Sequence, residues 1–324
     1  MHRSRFIWLQ IGLVILLLLI LPKLISEYRL NLVITMMIYS IFALSYNMLF
    51  GQGGLLSFGH AAYFGFGAYA TVIVIKQLEV SLPTGILVGG LAGAFLGVAF
   101  GAFVVRMRGV PFALLTLAFN QLIYVTAEKW RSVTGGEDGI AFIRPNLFLG
   151  GFEIDLWATL NWYYFVLLVT VVSVCCLWFL TLTPLGRLNL CMRENEERAR
   201  FIGYNTYASR LIIYTLSGFF AGIAGGLAAS FQEFVTTTFI NLDKATDVLM
   251  MTFIGGGGAF FGPVIGACAL TLINDFLSSW LERWAIVQGL LFILLVLYAP
   301  NGLSGLYLSL RERWTAYKGG KAQS

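Results

Sequence analysis

The stretch GILVGGLAGAFLGVAFGAF, residues 85–103, contains no charged side chain, and glycine recurs in it at every fourth position. The glycines with this spacing are Gly85, Gly89, Gly93, Gly97 and Gly101. Residues four apart lie on one face of an α-helix, so the stretch predicts an apolar helix with one smooth face. A smooth face lets a second backbone approach closely, which is typical of helices packed inside a membrane.

The composition of the whole chain agrees with this interpretation. Hydrophobic residues make up 58% of the 324 residues and charged residues 11%, whereas a soluble domain carries about a quarter charged residues. We therefore expect residues 1–324 to form a single integral membrane domain. The net charge of +5 does not indicate nucleic-acid binding, because the basic residues lie in loops and chain ends beside apolar runs. That placement is typical of cytoplasmic loops.

Apolar windows predict membrane spans near residues 6–25, 31–50, 57–76, 82–105, 110–127, 162–182, 208–230 and 284–299. Residues 245–282 could form one broken span or a hairpin of two short spans. The hairpin gives ten spans with both termini in the cytoplasm, and places 13 of the 21 basic and four of the 16 acidic residues inside. Because cytoplasmic loops are enriched in Lys and Arg, we favour the hairpin.

The predicted fold class is thus all-α: a polytopic membrane helix bundle of about ten transmembrane helices, with glycine-rich broken segments and a cytoplasmic helix. The N-terminal apolar run lacks a small-x-small cleavage site, so it is interpreted as a retained first span with its basic end in the cytoplasm. This topology makes residues 128–161 an external loop, 183–207 a cytoplasmic loop and 308–324 a cytoplasmic tail.

One segment departs from the apolar pattern. GRLNLCMRENEERARFIGYNTY, residues 186–207, holds seven of the 37 charged residues. From Arg193 onward it predicts a cytoplasmic helix of about ten residues, in which Glu194–Arg198 and Glu196–Arg200 are favourable i,i+4 pairs and Gly203 is placed as a C-terminal stop. The residues alone leave open whether this helix is a solvated loop or a docking element.

Ionisable residues are scarce within the predicted spans, where His60 and Asp275 stand out. An ion-coupled transporter usually needs such groups, so the scarcity argues against coupling to an ion gradient. His60 could line a pathway or be a satisfied polar residue at a helix start, and Asp275 is interpreted as an interfacial acid. The candidate pathway residues are Ser57, Phe58, His60, Asn120, Gln121, Gly255, Gly256 and Gly257. The two amides could instead bond across helices, whereas the glycines mark unwound backbone, which is tolerated at membrane depth only under protein or beside water.

No motif for energy conversion or catalysis is present. The chain has no GxxxxGK[ST] phosphate-binding loop, no HExxH and no GxSxG in a suitable setting, and its four cysteines form no CxxC pair. We predict that the chain is not an enzyme and binds no metal or cofactor of its own. If transport is active, another subunit must supply the energy.

Four stretches resemble the LivM-type permease subunit of branched-chain amino acid ABC importers. They are GQGGLLSFGHAAYFGFGAY (51–69), GVPFALLTLAFNQL (109–122) with TGGEDG (134–139), TPLGRLNLCMRENEERARFIGYNTYASRLIIYTLSGFFAGIAGGL (183–227) and GGGGAFFGPVIGA (255–267). The resemblance covers most of residues 51–267, and the third stretch is the most specific. It implies a multi-pass protein of the bacterial cytoplasmic (inner) membrane.

The resemblance also implies partners: two ABC ATPase subunits that use ATP and magnesium, a second homologous permease and a periplasmic solute-binding protein. The charged segment resembles the coupling helix that contacts the ATPases. The implied contact residues are Arg193, Glu194, Asn195, Glu196, Arg198, Ala199 and Gly203.

Two departures from the family pattern leave the solute open. The chain has four consecutive glycines at 255–258, and FINLDKATDVLMMTFIG (239–255) also differs from the common version. Both lie near the expected pathway. Related permeases carry urea, short amides or other amino acids, and an ion-coupled secondary transporter remains the alternative from a different energetic class.

Overall fold

The computed structural model describes residues 17–149, 152–280, 284–298 and 302. Most of the predicted first span and the whole predicted tail at 308–324 lie outside these residues. The first half of the chain forms four long helices: α1 (Glu27–Leu49), α2 (His60–Leu78), α3 (Leu82–Val104) and α4 (Val110–Lys129). Each agrees with a predicted span to within a few residues at either end.

Over the described ranges, seven further α-helices follow α4, the first of which is a single turn. They are α5 (Arg131–Thr134), α6 (Thr159–Leu182), α7 (Pro184–Phe201), α8 (Thr206–Gln232), α9 (Leu242–Gly255), α10 (Gly262–Trp280) and α11 (Trp284–Tyr298). Residues 245–282 therefore hold two separate helices, α9 and α10, that pack against each other. Within the described residues, seven helices are long and apolar enough to cross a membrane, whereas α9 and α11 are shorter.

The core of the bundle lies where α2, α3 and α8 cross. A Cβ atom added to Gly89 would lie 2.7 Å from the carbonyl oxygen of Gly67 on α2, and one added to Gly218 would lie 2.7 Å from that of Gly93. Backbone therefore packs on backbone, and the glycine face of α3 is the contact surface. α1 and α8 are the most buried of the long helices.

The connection between α4 and α6 has its own short elements, which the interpretation of 128–161 as a loop did not include. Strand β1 (Ile140–Ala141) pairs with β4 (Phe234–Val235), and β2 (Leu147–Leu149) pairs with β3 (Phe152–Ile154), both antiparallel. Arg144 forms an ion pair of 3.1 Å with Glu233, which ties this connection to the end of α8. Burial lowers the pKa of Arg144 and the carboxylate of Glu233 opposes that shift. These strands are the only departure from an all-helical fold within the part of the chain that the structure describes.

Candidate functional site

The charged segment forms helix α7, which is longer than predicted. It begins at Pro184, nine residues before the expected start at Arg193, and Thr183 Oγ1 accepts a hydrogen bond of 3.3 Å from Gly186 N at its first turn. The helix has a kink at Asn195, whose backbone is non-helical (φ −158°, ψ 99°). Asn195 Oδ1 accepts a hydrogen bond of 2.9 Å from Arg198 N, as an N-cap does, so Asn195 starts a second helical segment that ends at Phe201.

The second segment is held by Glu196, which is buried. Its carboxylate pairs with Arg108 at 2.6 Å, with Arg200 at 3.3 Å and with Arg210. Arg108 lies in the α3–α4 connection and Arg210 in the first turns of α8. A buried carboxylate needs this compensation, because leaving it unpaired would be strongly destabilising. Of the two predicted i,i+4 pairs, Glu196–Arg200 is present, and no Glu194–Arg198 ion pair is present although both side chains are described.

The first segment of α7 is bonded to the end of α1. Asn189 Nδ2 donates to the carbonyl oxygen of Met48 at 2.9 Å, and Arg193 donates to the carbonyl oxygen of Gly51. Both acceptors lie where α1 unwinds into the first glycine-rich break, residues 51–54. Helix α7 is therefore attached directly to a broken segment of the bundle.

The two glycine-rich breaks touch each other. A Cβ added to Gly257 would lie 3.1 Å from Gly51 Cα and 3.0 Å from Asn47 Oδ1. Asn47 is buried, and both polar atoms of its amide have no hydrogen-bond partner. A continuous chain of contacts thus runs from α7 through residues 51–54 to residues 255–258, which connect α9 to α10.

Exposure divides the seven residues predicted to contact an ATPase. Glu196 and Ala199 are buried, so neither side chain faces outward, and Ala199 packs with Leu188 and Met192 of the same helix. The exposed members are Arg193, Glu194, Asn195, Arg198 and Gly203. Phe201 and Ile202, which follow the second segment, are also exposed, at 89% and 70%. This is a large apolar surface beside charged side chains at the end of a helix.

The predicted pathway residues do not form one site. Phe58 N donates to Thr116 Oγ1 on α4 at 3.1 Å, and Ser57 Oγ accepts from Gly59 N at 3.2 Å. Gly255, Gly256 and Gly257 lie in the second break. Gln121 is exposed on α4, whereas its neighbour Asn120 is buried.

His60 lies in an enclosed polar cluster near the end of α1 that α7 contacts. His60 Nε2 and Ser45 Oγ are 2.9 Å apart, Ser217 donates to the carbonyl oxygen of Ser45 at 2.6 Å, and the hydroxyls of Tyr63 and Tyr214 are 2.5 Å apart. All five residues are buried, and the rings of Phe42 and Tyr46 pack on the imidazole. The imidazole is enclosed and only partly satisfied, because His60 Nδ1 has no hydrogen-bond partner.

Asn120 bonds to the residue before a polar turn, whose charged side chains were not among the ionisable residues singled out within the predicted spans. Its Nδ2 atom donates to the carbonyl oxygen of Ile240 at 2.9 Å, just before α9. The first two turns of α9 contain Asp243, Lys244 and Asp247. The sequence signal was available, because this is the segment that departs from the family pattern. We call Asn241, Asp243, Lys244 and Asp247 the α9 turn.

Metal binding has no support in the described part of the chain. There, no group of three or more His, Cys, Asp or Glu side chains could hold a metal ion. The four cysteines are free thiols. The structural features of the candidate site are therefore helices, glycine-rich breaks and ion pairs.

A bundle of helices that are long and apolar enough to cross a membrane, with broken segments between them, defines a multi-pass helical membrane protein. The family described as "Branched-chain amino acid transport system / permease component" matches residues 28–297. The chain belongs to this family. Its role is transport as a permease component.

Individual relatives agree with this assignment. The permease LivM of the high-affinity branched-chain amino acid transport system of Escherichia coli (strain K12) is 29% identical over 87% of this chain and 71% of its own length. LivH of the same system is 25% identical, over 82% of this chain and 91% of its own. The autoinducer 2 import permease LsrC of Escherichia coli O157:H7 is 26% identical over 73% of this chain and 68% of its own. No solved structure matches the chain.

Proposed function

We propose that this chain is the membrane-spanning permease subunit of a binding-protein-dependent ABC importer that moves branched-chain or related hydrophobic amino acids. The match to a permease family over residues 28–297 carries the proposal. The relatives LivM and LivH, which are named as permeases of one transport system, support a pair of homologous permeases. Two ATPases that hydrolyse ATP and a periplasmic binding protein complete the proposed importer.

The proposed topology has ten spans, with both termini on the cytoplasmic side of the inner membrane. α9 and α10 form the hairpin that the charge distribution favours, and α7 then lies in the cytoplasm. The proposed single domain comprises residues 1–324, with 128–161 external and 183–207 and 308–324 cytoplasmic. Placing α7 in the cytoplasm allows it to meet cytoplasmic ATPases.

The coupling role of α7 is part of the same proposal. The exposed residues Arg193, Glu194, Asn195, Arg198 and Gly203 contact the ATPase subunits, and Glu196 holds the helix against the bundle. Movement of α7 reaches the first glycine-rich break through the hydrogen bonds from Asn189 to Met48 and from Arg193 to Gly51. The break then transmits it to residues 255–258, because Gly51 and Gly257 are in contact.

Uptake by the reconstituted importer tests the transport function. The full complex in proteoliposomes, with its binding protein outside and ATP inside, should accumulate radiolabelled leucine and require both. Uptake of urea and acetamide, measured in the same way, tests the alternative that the importer carries urea or short amides. Leucine uptake driven by a proton gradient, in vesicles that contain this chain without ATPases, would contradict the ABC proposal and support a secondary transporter.

Charge reversal on the exposed side of α7 tests the coupling role. Reversing Glu196 as well would disrupt its buried ion pairs, so the variant combines Glu194→Lys with Arg198→Glu. We expect at least a tenfold loss of leucine uptake with normal membrane insertion, because the docking charges no longer match. The control combines Glu197→Lys with Arg187→Glu, two exposed residues of α7 outside the predicted contact set. Equal uptake by both variants would remove the docking role.

A further inference from the structure

The start of α9 lies at the middle of the membrane bundle. Lys244 Nζ donates to the hydroxyl of Tyr39 at 2.8 Å, and Tyr39 is the thirteenth of the 23 residues of α1. Asn120, which bonds to Ile240, is the eleventh of the 20 residues of α4. Two membrane-crossing helices thus meet the residues around the start of α9 at their own midpoints.

The chain reaches this depth by folding back into the bundle after α8. Residues 234–235 pair with β1 in the α4–α6 connection, and Phe239 then stacks on Phe64 of α2 at 5.7 Å between ring centroids. From there α9 runs 14 residues, about 21 Å at 1.5 Å per residue, to the break that contacts Gly51 at the cytoplasmic end of α1. α9 is therefore a half-length helix whose N-terminus lies at mid-depth, as in transporters with broken helices.

Charged residues at this depth cannot face lipid. Asp243 is exposed, and its carboxylate accepts a hydrogen bond of 3.0 Å from Asn241 Nδ2. Lys244 and Asp247 are 3.7 Å apart with about a quarter of each side chain exposed. Ionised groups at the bilayer centre face a protein interior or a water-filled cavity. The exposed side of the α9 turn therefore marks the pathway side of the subunit.

A polar stripe on α1 runs from the N-terminal end of that helix to the α9 turn. Helix α7 contacts the other end of α1. The stripe consists of Tyr28, Asn31, Thr35 and Tyr39, spaced three or four residues apart on one helix face. All four are exposed or half-buried, and Tyr28 also donates to Asp275 on α10 at 2.5 Å. The stripe ends at Tyr39, which binds Lys244.

We propose that the α9 turn contacts the charged ends of a zwitterionic amino acid during its passage; this rests on the proposed transport function. Asp243 takes the ammonium group, because it is the exposed carboxylate with only one neutral donor. Lys244, near the positive end of the α9 helix dipole, takes the carboxylate. Urea and short amides have no such pair of charges, so the turn favours amino acids over those solutes.

The test uses Asp243→Asn in the full importer in proteoliposomes. We expect leucine uptake to fall at least tenfold, while ATP hydrolysis stimulated by the binding protein stays within twofold of the wild type. Asp138→Asn, at an exposed acid in the α4–α6 connection, is the matched control and should transport normally. Leucine uptake by Asp243→Asn equal to that of the control would overturn the proposal.

A labelling experiment covers the case in which Asp243→Asn assembles poorly. The background is a variant whose four native cysteines are replaced by serine. In it, Asp243→Cys should react with a charged, membrane-impermeant methanethiosulfonate while the importer hydrolyses ATP. Added leucine should slow this reaction. Leu168→Cys, exposed on α6, should not react, because it faces lipid. No labelling at position 243 would overturn the pathway assignment. Absence of leucine uptake by the wild-type importer would instead contradict the proposed function itself.

Discussion

The cluster around His60 and the α9 turn both place polar side chains among membrane helices, but their surroundings differ. The side chains of the His60 cluster are buried, they make hydrogen bonds within the cluster, and aromatic rings cover the imidazole. The α9 turn carries ionised groups that are partly or fully exposed at mid-depth. Polar residues that bond to one another inside a bundle hold helices together, whereas exposed charges at that depth need water or a solute.

The largest effect is expected from a substitution beside the His60 cluster, where the backbones of α3 and α8 are in contact. Gly93→Leu should abolish folded protein, because even a Cβ at this position would collide with the carbonyl oxygen of Gly218, next to Ser217 of the His60 cluster. Gly258→Ala is the control, since a Cβ there meets nothing within 4 Å. Size-exclusion chromatography of the solubilised protein measures the outcome. A monodisperse Gly93→Leu protein would contradict the close contact of α3 with α8.

A matched pair of isosteric changes on α1 compares the two environments directly. Asn47→Asp places a carboxylate in a buried site without a hydrogen-bond partner, which should cost about 3 kcal/mol or more. Asn31→Asp makes the same change on the exposed polar stripe and should leave stability near that of the wild type. Thermal unfolding in detergent measures both. Destabilisation by Asn31→Asp equal to that by Asn47→Asp would contradict an exposed, solvated stripe.

The smallest effect is expected from one hydroxyl of the enclosed cluster. Ser45→Ala removes the hydrogen bond to His60 Nε2 and should lower the free energy of unfolding by about 1–3 kcal/mol. We expect no change in the preference among leucine, urea and acetamide, because the side chains of the cluster are buried. A change in solute preference would mean that His60 lines the pathway. Thermal unfolding and competition assays provide the two measurements.

Sequence patterns predicted much of the helical architecture, because a membrane span needs about 20 apolar residues and interruptions are visible at once. The predicted spans at 82–105 and 110–127 differ from α3 and α4 by two residues or fewer at each end. The glycine spacing indicated which face of α3 would pack. By contrast, α9 has only 14 residues and begins with charged residues, so a search for long apolar windows could not place its start.

The candidate site was less predictable, because its members are far apart in sequence. Glu196 was predicted from helix spacing to pair with Arg200, and it does, but its pairs with Arg108 and Arg210 join three elements. The contact between Gly51 and Gly257 spans some 200 residues of chain. Neither local charge nor periodicity carries information about such contacts.

By itself, the sequence determined that this protein is a multi-pass helical bundle with a charged segment outside the spans, because hydrophobic length and charge act locally along the chain. The tertiary structure decided which charges are buried, where α7 attaches, and how deep α9 begins. Those properties depend on residues from other parts of the chain. Glu196, in a charged segment, is enclosed by Arg108 and Arg210, and Lys244 of the α9 turn bonds to Tyr39 at the middle of α1. The physical reason is that burial and electrostatic environment are set by neighbours in space.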